Sequence, residues 1–273
     1  MNYMENIIKD RFKDKVMIIT GAAGGIGKAA AVRAAQEGAK LVLADVKEDM
    51  SHETLEEIKK ITPNVEFMVA DLTEEENCKK LVDLAVDTFG QIDILINNAG
   101  ITGTPAPVDK MATSMFRHVI ETNIFIAFYI SHYAIPVMKK NGGAIVNVAS
   151  VAGLVGFPGH SAYVTSKYGL NGLTRNMALD YAADNIRVNS VNPGTTATPM
   201  YDEALEFLKN QRTEAIKNGA KPDEQIVSGK TTSPQKRVAT ADEVSNVILF
   251  LASDEASNMT GVFVPVDGGF TAF

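Results

Sequence analysis

The run Val16-Met17-Ile18-Ile19-Thr20-Gly21-Ala22-Ala23-Gly24-Gly25-Ile26-Gly27 decides the fold. Its first five residues read as a strand apolar on both faces, and the alanine-rich stretch that follows reads as a helix. Glycine is needed between them where the chain turns tightly, where backbone approaches a pyrophosphate, and where helix packs closely on strand. The free N–H groups and positive dipole end of the new helix then face an anion. The spacing is Gly-x-x-x-Gly-x-Gly, not the commoner Gly-x-Gly-x-x-Gly. Alone such a cluster is equally an ordinary tight turn; its place between a strand and a helix points to a nucleotide loop.

Working outward, short β-branched runs alternate with helical patterns. Strands are expected at Val16–Thr20, Leu41–Asp45, Val65–Val69, Ile92–Asn97, Ala144–Ala149 and Ile186–Val191, with a seventh at Val262–Val266. Most are continuous apolar runs, as in strands buried on both faces of a parallel sheet. The connections are long enough for crossover helices. The expectation is an α/β, single-domain, Rossmann-like doubly wound sheet of about seven parallel strands over residues 1–273. Thr73 with Glu76, and Thr240 with Glu243, fit capping boxes. After Thr73, Cys78, Leu81, Val82, Ala85, Val86 and Phe89 share one helical face, which makes Cys78 a structural cysteine. Between Thr198 and Val238 the chain turns polar. Tyr201, Ala204, Leu205 and Leu208 fall on one helical face before loop signals take over, and the segment reads as a lid.

Bulk properties narrow the function. The 273 residues are 45% hydrophobic and 22% charged, with a formal net charge of -7 and no basic run, so a nucleic-acid surface is not expected. One cysteine excludes an intrachain disulfide and fits a reducing compartment. The charged amino terminus lacks the apolar core of a secretory signal, and Ile124–Met138 is too short and interrupted to span a bilayer. A cytoplasmic protein is expected. His52, His118, His132 and His160 show no metal-ligand spacing, so no metal is expected.

Asp45 closes the second strand 18 residues beyond Gly27, where a carboxylate can accept hydrogen bonds from adenosine ribose hydroxyls. It would repel a 2′-phosphate, and the glycine loop holds no arginine or lysine to neutralise one, although Lys47 is near. NAD is thus expected rather than NADP; the plainer reading is that Asp45 merely ends a strand. Ser150 follows the fifth strand, and Tyr163 and Lys167 lie one helical turn apart on the next helix. A phenol has a pKa of about 10, and a neighbouring ammonium is expected to lower it toward proton exchange near neutrality.

Together, Thr20-Gly21-x-x-x-Gly25-Ile26-Gly27, Asn97-Asn98-Ala99-Gly100, Asn123, Ser150, Tyr163-x-x-x-Lys167 and Pro193-Gly194-x-x-x-Thr198 resemble the motifs of the short-chain dehydrogenase/reductase family, in order, over about Phe12 to Phe270. The resemblance implies an NAD-dependent oxidoreductase interconverting a secondary alcohol and a ketone. It implies Tyr163 as general acid/base, Lys167 as its partner and holder of the nicotinamide ribose, and Ser150 as binder of the substrate oxygen. Asn123 would support a water relaying protons to Lys167. Gly21, Gly25, Ile26 and Gly27 would hold the pyrophosphate. Asp71 and Leu72 would lie near the adenine, and Asn98, Ala99 and Gly100 would line the dinucleotide groove. Pro193, Gly194, Thr196 and Thr198 would close over the nicotinamide. A homotetramer is implied, with helices four and five packing across one interface.

Ala152, His160, Met200 and Tyr201 are the candidate substrate contacts, with Leu154, Thr102 and Thr104 as further wall. They are mostly apolar or neutral, which favours a neutral cyclic alcohol, steroid or polyol, although Lys209 or Arg212 on the lid can reach inward. Two other readings stay open: a 3-oxoacyl-thioester reductase of fatty-acid synthesis, and a non-catalytic nucleotide sensor that keeps the fold. Asp45 argues against the first, and the intact Ser150, Tyr163 and Lys167 against the second.

Overall fold

The computed structural model describes residues 7–217 and 233–272. Seven strands, β1 (Val16–Thr20), β2 (Lys40–Asp45), β3 (Val65–Val69), β4 (Ile94–Asn97), β5 (Gly143–Val148), β6 (Ile186–Pro193) and β7 (Phe263–Val266), form one sheet. Every pair is parallel and the order is β3-β2-β1-β4-β5-β6-β7. Chain order reverses between β1 and β4, so the ends of these two strands open a crevice at the carboxyl edge. β4 begins two residues later than its apolar run because the Asp93 carboxylate, not a ladder carbonyl, accepts the Val16 N–H at 2.8 Å.

Side chains alternate between the two faces, as the two-residue period of a strand requires. Met17, Ile19, Leu41, Leu43, Ile94 and Ile96 pack toward α1 (Gly25–Gln36), α2 (Glu48–Lys59) and α8 (Ala241–Ala252). Ile18, Val42, Leu95 and Ile145 pack toward α3 (Glu75–Phe89), α5 (Ile126–Met138) and α6 (Ser161–Tyr181). Each such side chain stabilises the fold by roughly 1.5–3 kcal/mol, and most are wholly buried. Ala30, Ala31 and Ala34 present no long side chain, so α1 lies close against Val244, Ile248 and Leu249 of α8.

The Thr240 capping box forms at the start of α8, with Glu243 also held by Arg237 through two 2.7 Å bonds. The expected box at Thr73 does not form. Asp71 Oδ1 takes both the Thr73 N–H (2.9 Å) and its hydroxyl (2.7 Å), so α3 starts at Glu75 without a side-chain cap. Cys78 still faces the core; its thiol donates to Leu72 O at 3.1 Å, and burial pushes its pKa up to about 12, as befits a structural cysteine. In the lid region α7 spans Pro199–Lys217, longer than its apolar face indicates. Tyr201 and Leu205 are half-buried, but Ala204 is exposed and leaves the expected face. The Leu208 side chain and residues 218–232, Pro222 among them, lie outside the described residues.

Candidate active site

The glycine loop has the shape its sequence requires. Gly21 and Gly25 hold φ of +64° and +54°, a region that disfavours other residues. A Cβ on Gly27 would lie 2.2 Å from the Gly21 carbonyl oxygen and 2.5 Å from Asn98 Nδ2, so only glycine lets α1 close on the strand. Gly24 caps α1 without a side-chain bond, and the first turn holds no acidic residue. The leading N–H groups and dipole of α1 are thus directed at the crevice, a fit for pyrophosphate. Ile26 is half-buried beside them.

Asn98 acts as a clasp on this loop. Its Nδ2 donates to Thr20 O (3.0 Å) and Gly21 O (2.9 Å), while Thr20 Oγ accepts the Asn98 and Ala99 N–H groups at 3.0 Å. Asp45 Oδ2 accepts the Ala23 N–H at 3.0 Å, and its Oδ1 accepts those of Val46 (2.8 Å) and Lys47 (3.1 Å). Lys47 extends instead toward Glu203 of α7, 3.6 Å away. Thr198 and Pro199 lie against Gly25 and Gly24, so the segment after β6 reaches the glycine loop. Within that segment Thr196 donates to Gly194 O at 3.1 Å, and Gly194 approaches Asp267 closely. Asp71 is exposed at the end of β3, and Leu72 is buried beneath it.

A Cβ on Gly100 would sit 3.1 Å from Asn123 Oδ1 and 3.4 Å from Lys167 Nζ, so three sequence-distant candidates converge here. Asn123 lies in a π-helical turn, Glu121–Phe125, between α4 (Thr113–Ile120) and α5. Such turns often mark functional sites. The Asn123 amide is fully engaged: it exchanges 2.8 Å bonds with both backbone groups of Ile101 and donates to Ser166 Oγ at 2.9 Å. Ser166 in turn donates to the Tyr163 carbonyl at 2.7 Å, which couples Asn123 to the helix of Tyr163 and Lys167.

Ser150 initiates a 3₁₀ turn, Val151–Gly153, and its Oγ accepts the Ala152 N–H at 3.1 Å. Lys167 Nζ donates to Val148 O at 2.9 Å and lies 5.6 Å from the centre of the Tyr163 ring. The electrostatics differ from the sequence expectation. Burial raises the Tyr163 pKa, and a hydrogen bond from Ser150, not the Lys167 charge, opposes that rise. Burial also lowers Lys167 to about 8. Both charged forms lose hydration in this setting, and the Lys167 ammonium spends a hydrogen bond on a backbone carbonyl. Tyr163 keeps some accessible surface at the crevice, whereas Lys167 is 4% exposed.

Among the substrate candidates, Ala152 is buried and supplies its N–H to Ser150, while Leu154 is half-buried. His160 is half-buried at the start of α6; its Nδ1 lies 2.9 Å from Pro158 O, and its backbone bridges to Ala106. Met200 is exposed at the start of α7, and the Tyr201 N–H bonds to Thr198 O at 2.9 Å. Thr102 is half-buried, Thr104 and Lys209 are exposed, and the Arg212 side chain lies outside the described residues. One pairing escaped the sequence: Phe157, in the turn before His160, stacks on Phe270 with centroids 5.8 Å apart. No periodicity connects two residues so far apart in the chain.

The family described as enoyl-(acyl carrier protein) reductase matches residues 21–271. A 3beta-hydroxysteroid dehydrogenase of Mediterraneibacter gnavus is 38% identical over 270 residues, covering 97% of this chain and 98% of its own. A cyclohexanol dehydrogenase of an Acinetobacter species is 37% identical over 270 residues, covering 98% and 100%. A solved structure of NAD+-bound xylitol dehydrogenase is similar with a TM-score of 0.85 and 35% identity, covering 94% of this chain and 99% of that one.

Proposed function

Because the chain belongs to the short-chain dehydrogenase/reductase family, we propose that it interconverts a neutral, cyclic secondary alcohol and its ketone with NAD. The observation that carries this reading is the joining of Ser150, Tyr163 and Lys167 at the carboxyl edge of the sheet, beside the glycine loop.

Tyr163 takes the hydroxyl proton of the alcohol in one direction and returns a proton to the carbonyl oxygen in the other. Ser150 holds that oxygen and stabilises the phenolate. Lys167 holds the nicotinamide ribose and carries positive charge below its pKa of about 8. Asn123 fixes Ile101 and, through Ser166, the register of α6, and would support a water that relays protons to Lys167. The glycine loop with Ile26, the clasp at Asn98 to Gly100, and the Pro193–Thr198 segment would hold the dinucleotide, with Asp71 and Leu72 beside the adenine. When bound, the nicotinamide supplies the hydride acceptor or donor.

NAD is favoured over NADP by the Asp45 carboxylate at the mouth of the loop, with Lys47 drawn toward Glu203. Two relatives carry names for alcohols on rings, a steroid and cyclohexanol. The candidate contacts are in keeping with this: Leu154, Phe157, Met200, Tyr201 and Phe270 are partly or fully exposed and apolar or aromatic, and His160 adds one polar group. Reduction of a 3-oxoacyl thioester, the competing reading, commonly goes with NADPH, against which Asp45 stands.

A homotetramer is supported by exposed apolar and aromatic surface on two helices. Phe125 and Phe128 on the α4–α5 helix, and Tyr168 and Leu179 on α6, are exposed, and Leu179 reaches 82%. Sedimentation at four chain masses is expected. Among the described residues no helix is long and apolar enough to cross a membrane; the single cysteine supports a cytoplasmic setting.

The test is an absorbance screen at the NADH band with cyclic alcohols, steroids, polyols and hydroxyacyl thioesters. Turnover of a cyclic alcohol that Tyr163→Phe abolishes while NAD still binds is the expected result. Full activity in that variant would overturn the mechanism. NAD binding without turnover of any member would favour a sensor.

A further inference from the structure

One buried amide joins three parts of the site. Asn171 lies one turn past Lys167 on α6 and is 3% exposed. Its Nδ2 donates to Gly153 O and to Asn192 Oδ1, both at 3.0 Å. Its Oδ1 accepts the Ser190 hydroxyl at 2.8 Å, and Ser190 Oγ accepts Asn192 Nδ2 at 3.0 Å, which closes a ring of three side chains. Ser190 and Asn192 are wholly buried on β6, and Asn192 leads directly into Pro193 and Gly194.

Gly153 ends the turn that Ser150 begins, and its N–H bonds to Ser150 O at 2.8 Å. A Cβ there would lie 2.7 Å from Asn171 Nδ2 and 2.8 Å from the Lys167 carbonyl oxygen, so the turn presses directly on α6. Helix, turn and strand come from separate parts of the chain, and apolar packing alone would let them slide by fractions of an ångström. A buried amide with every donor used permits one arrangement, because any slip leaves a polar atom unpaired at a cost of about 1–3 kcal/mol.

We propose that Asn171 is a positioning residue that holds the Ser150 turn in register with Tyr163 and Lys167 and ties both to the strand entering the Pro193–Thr198 segment. The inference rests on the oxidoreductase reading above for its catalytic meaning, and on the hydrogen-bond ring for its structural part.

The test uses Asn171→Leu, which is similar in volume, and Asn171→Asp, which can still accept from Ser190 but cannot donate to Gly153. Amide hydrogen exchange and steady-state kinetics are read on each full-length protein. Ala152 and Gly153 are expected to exchange at least about tenfold faster while the amides of β1 and β4 are unchanged. The kcat is expected to fall by about ten- to a hundredfold with KM for NAD within about twofold, and the pH profile for alcohol oxidation to move upward as Ser150 loses its hold on Tyr163. If Asn171→Leu does not fold, Asn171→Asp alone decides; if neither folds, Gly153→Ala opens the same contact from the other side. Unchanged exchange at Ala152 and Gly153 overturns the proposal, as does a loss of kcat with an unmoved pH profile and uniformly faster exchange. Absence of turnover in the unmodified protein would defeat the oxidoreductase reading, while exchange still decides whether Asn171 holds the turn.

Discussion

Lys167 places its ammonium 2.9 Å from the carbonyl oxygen of Val148, inside the fold, where no carboxylate among the described residues compensates the charge. The site therefore costs stability. Below pH 8 the folded and unfolded chains are both protonated at this position, and the penalty is constant. Between about 8 and the ordinary 10.5, the unfolded chain binds the extra proton, so stability rises with pH.

Lys167→Met should abolish turnover and change this pH dependence. The stability of the variant relative to the parent should fall by up to about 3 kcal/mol as pH rises from 8 to 10.5. Urea unfolding across that range checks it, with a flat difference as the contrary result. Any absolute gain in the variant is reduced by the orphaned Val148 carbonyl.

Ser150→Ala should lower kcat by about 10²–10⁴-fold with little change in NAD affinity. Its hydrogen bond opposes the upward push of burial on Tyr163. Alcohol oxidation needs the phenolate, so its rate should climb with pH in the parent, and the variant should need more alkaline solution. Ketone reduction uses the neutral phenol and should not gain from alkali. Paired pH profiles in both directions measure this.

Asp45→Ala should improve kcat/KM with NADP relative to NAD. The Ala23 N–H also loses its acceptor, so efficiency with NAD should drop and the melting temperature should fall, consistent with the loss of about 1 kcal/mol. An unmodified protein that already prefers NADP would refute the assignment of Asp45.

Glu37→Ala should destabilise the chain by about 3–5 kcal/mol without touching the site. Glu37 is wholly buried between Arg11 (2.6 Å) and Arg33 (2.9 Å), and it also accepts the Ile8 N–H at 3.2 Å. Removing the carboxylate takes away the buried acceptor that Arg11 and Arg33 share, while Arg11 keeps its 3.3 Å bond to Glu255. Denaturant unfolding with NAD binding as control tests it.

Much of the site was legible because its chemistry is local. The glycine positions, Tyr163 and Lys167 are written in spacings of a few residues, and the strand runs carry their own period. Thr73 misled because its neighbour Asp71 competes for the same N–H and hydroxyl, a choice that depends on loop geometry. Phe157 with Phe270, and Asn171 with Gly153 and Asn192, left no pattern, since these partners meet only when the sheet is assembled.

The sequence by itself therefore determined the sheet, the shape of the glycine loop and the placing of Tyr163 and Lys167 on one helical face, because backbone conformation and side-chain type set them within short stretches. Tertiary structure decided the electrostatic balance. Whether the ammonium of Lys167 or the hydroxyl of Ser150 governs the Tyr163 phenol depends on burial and on the partner each group reaches, the Val148 carbonyl for Lys167 and the phenol itself for Ser150. Those are properties of the packed interior, where loss of water outweighs a charge one helical turn away.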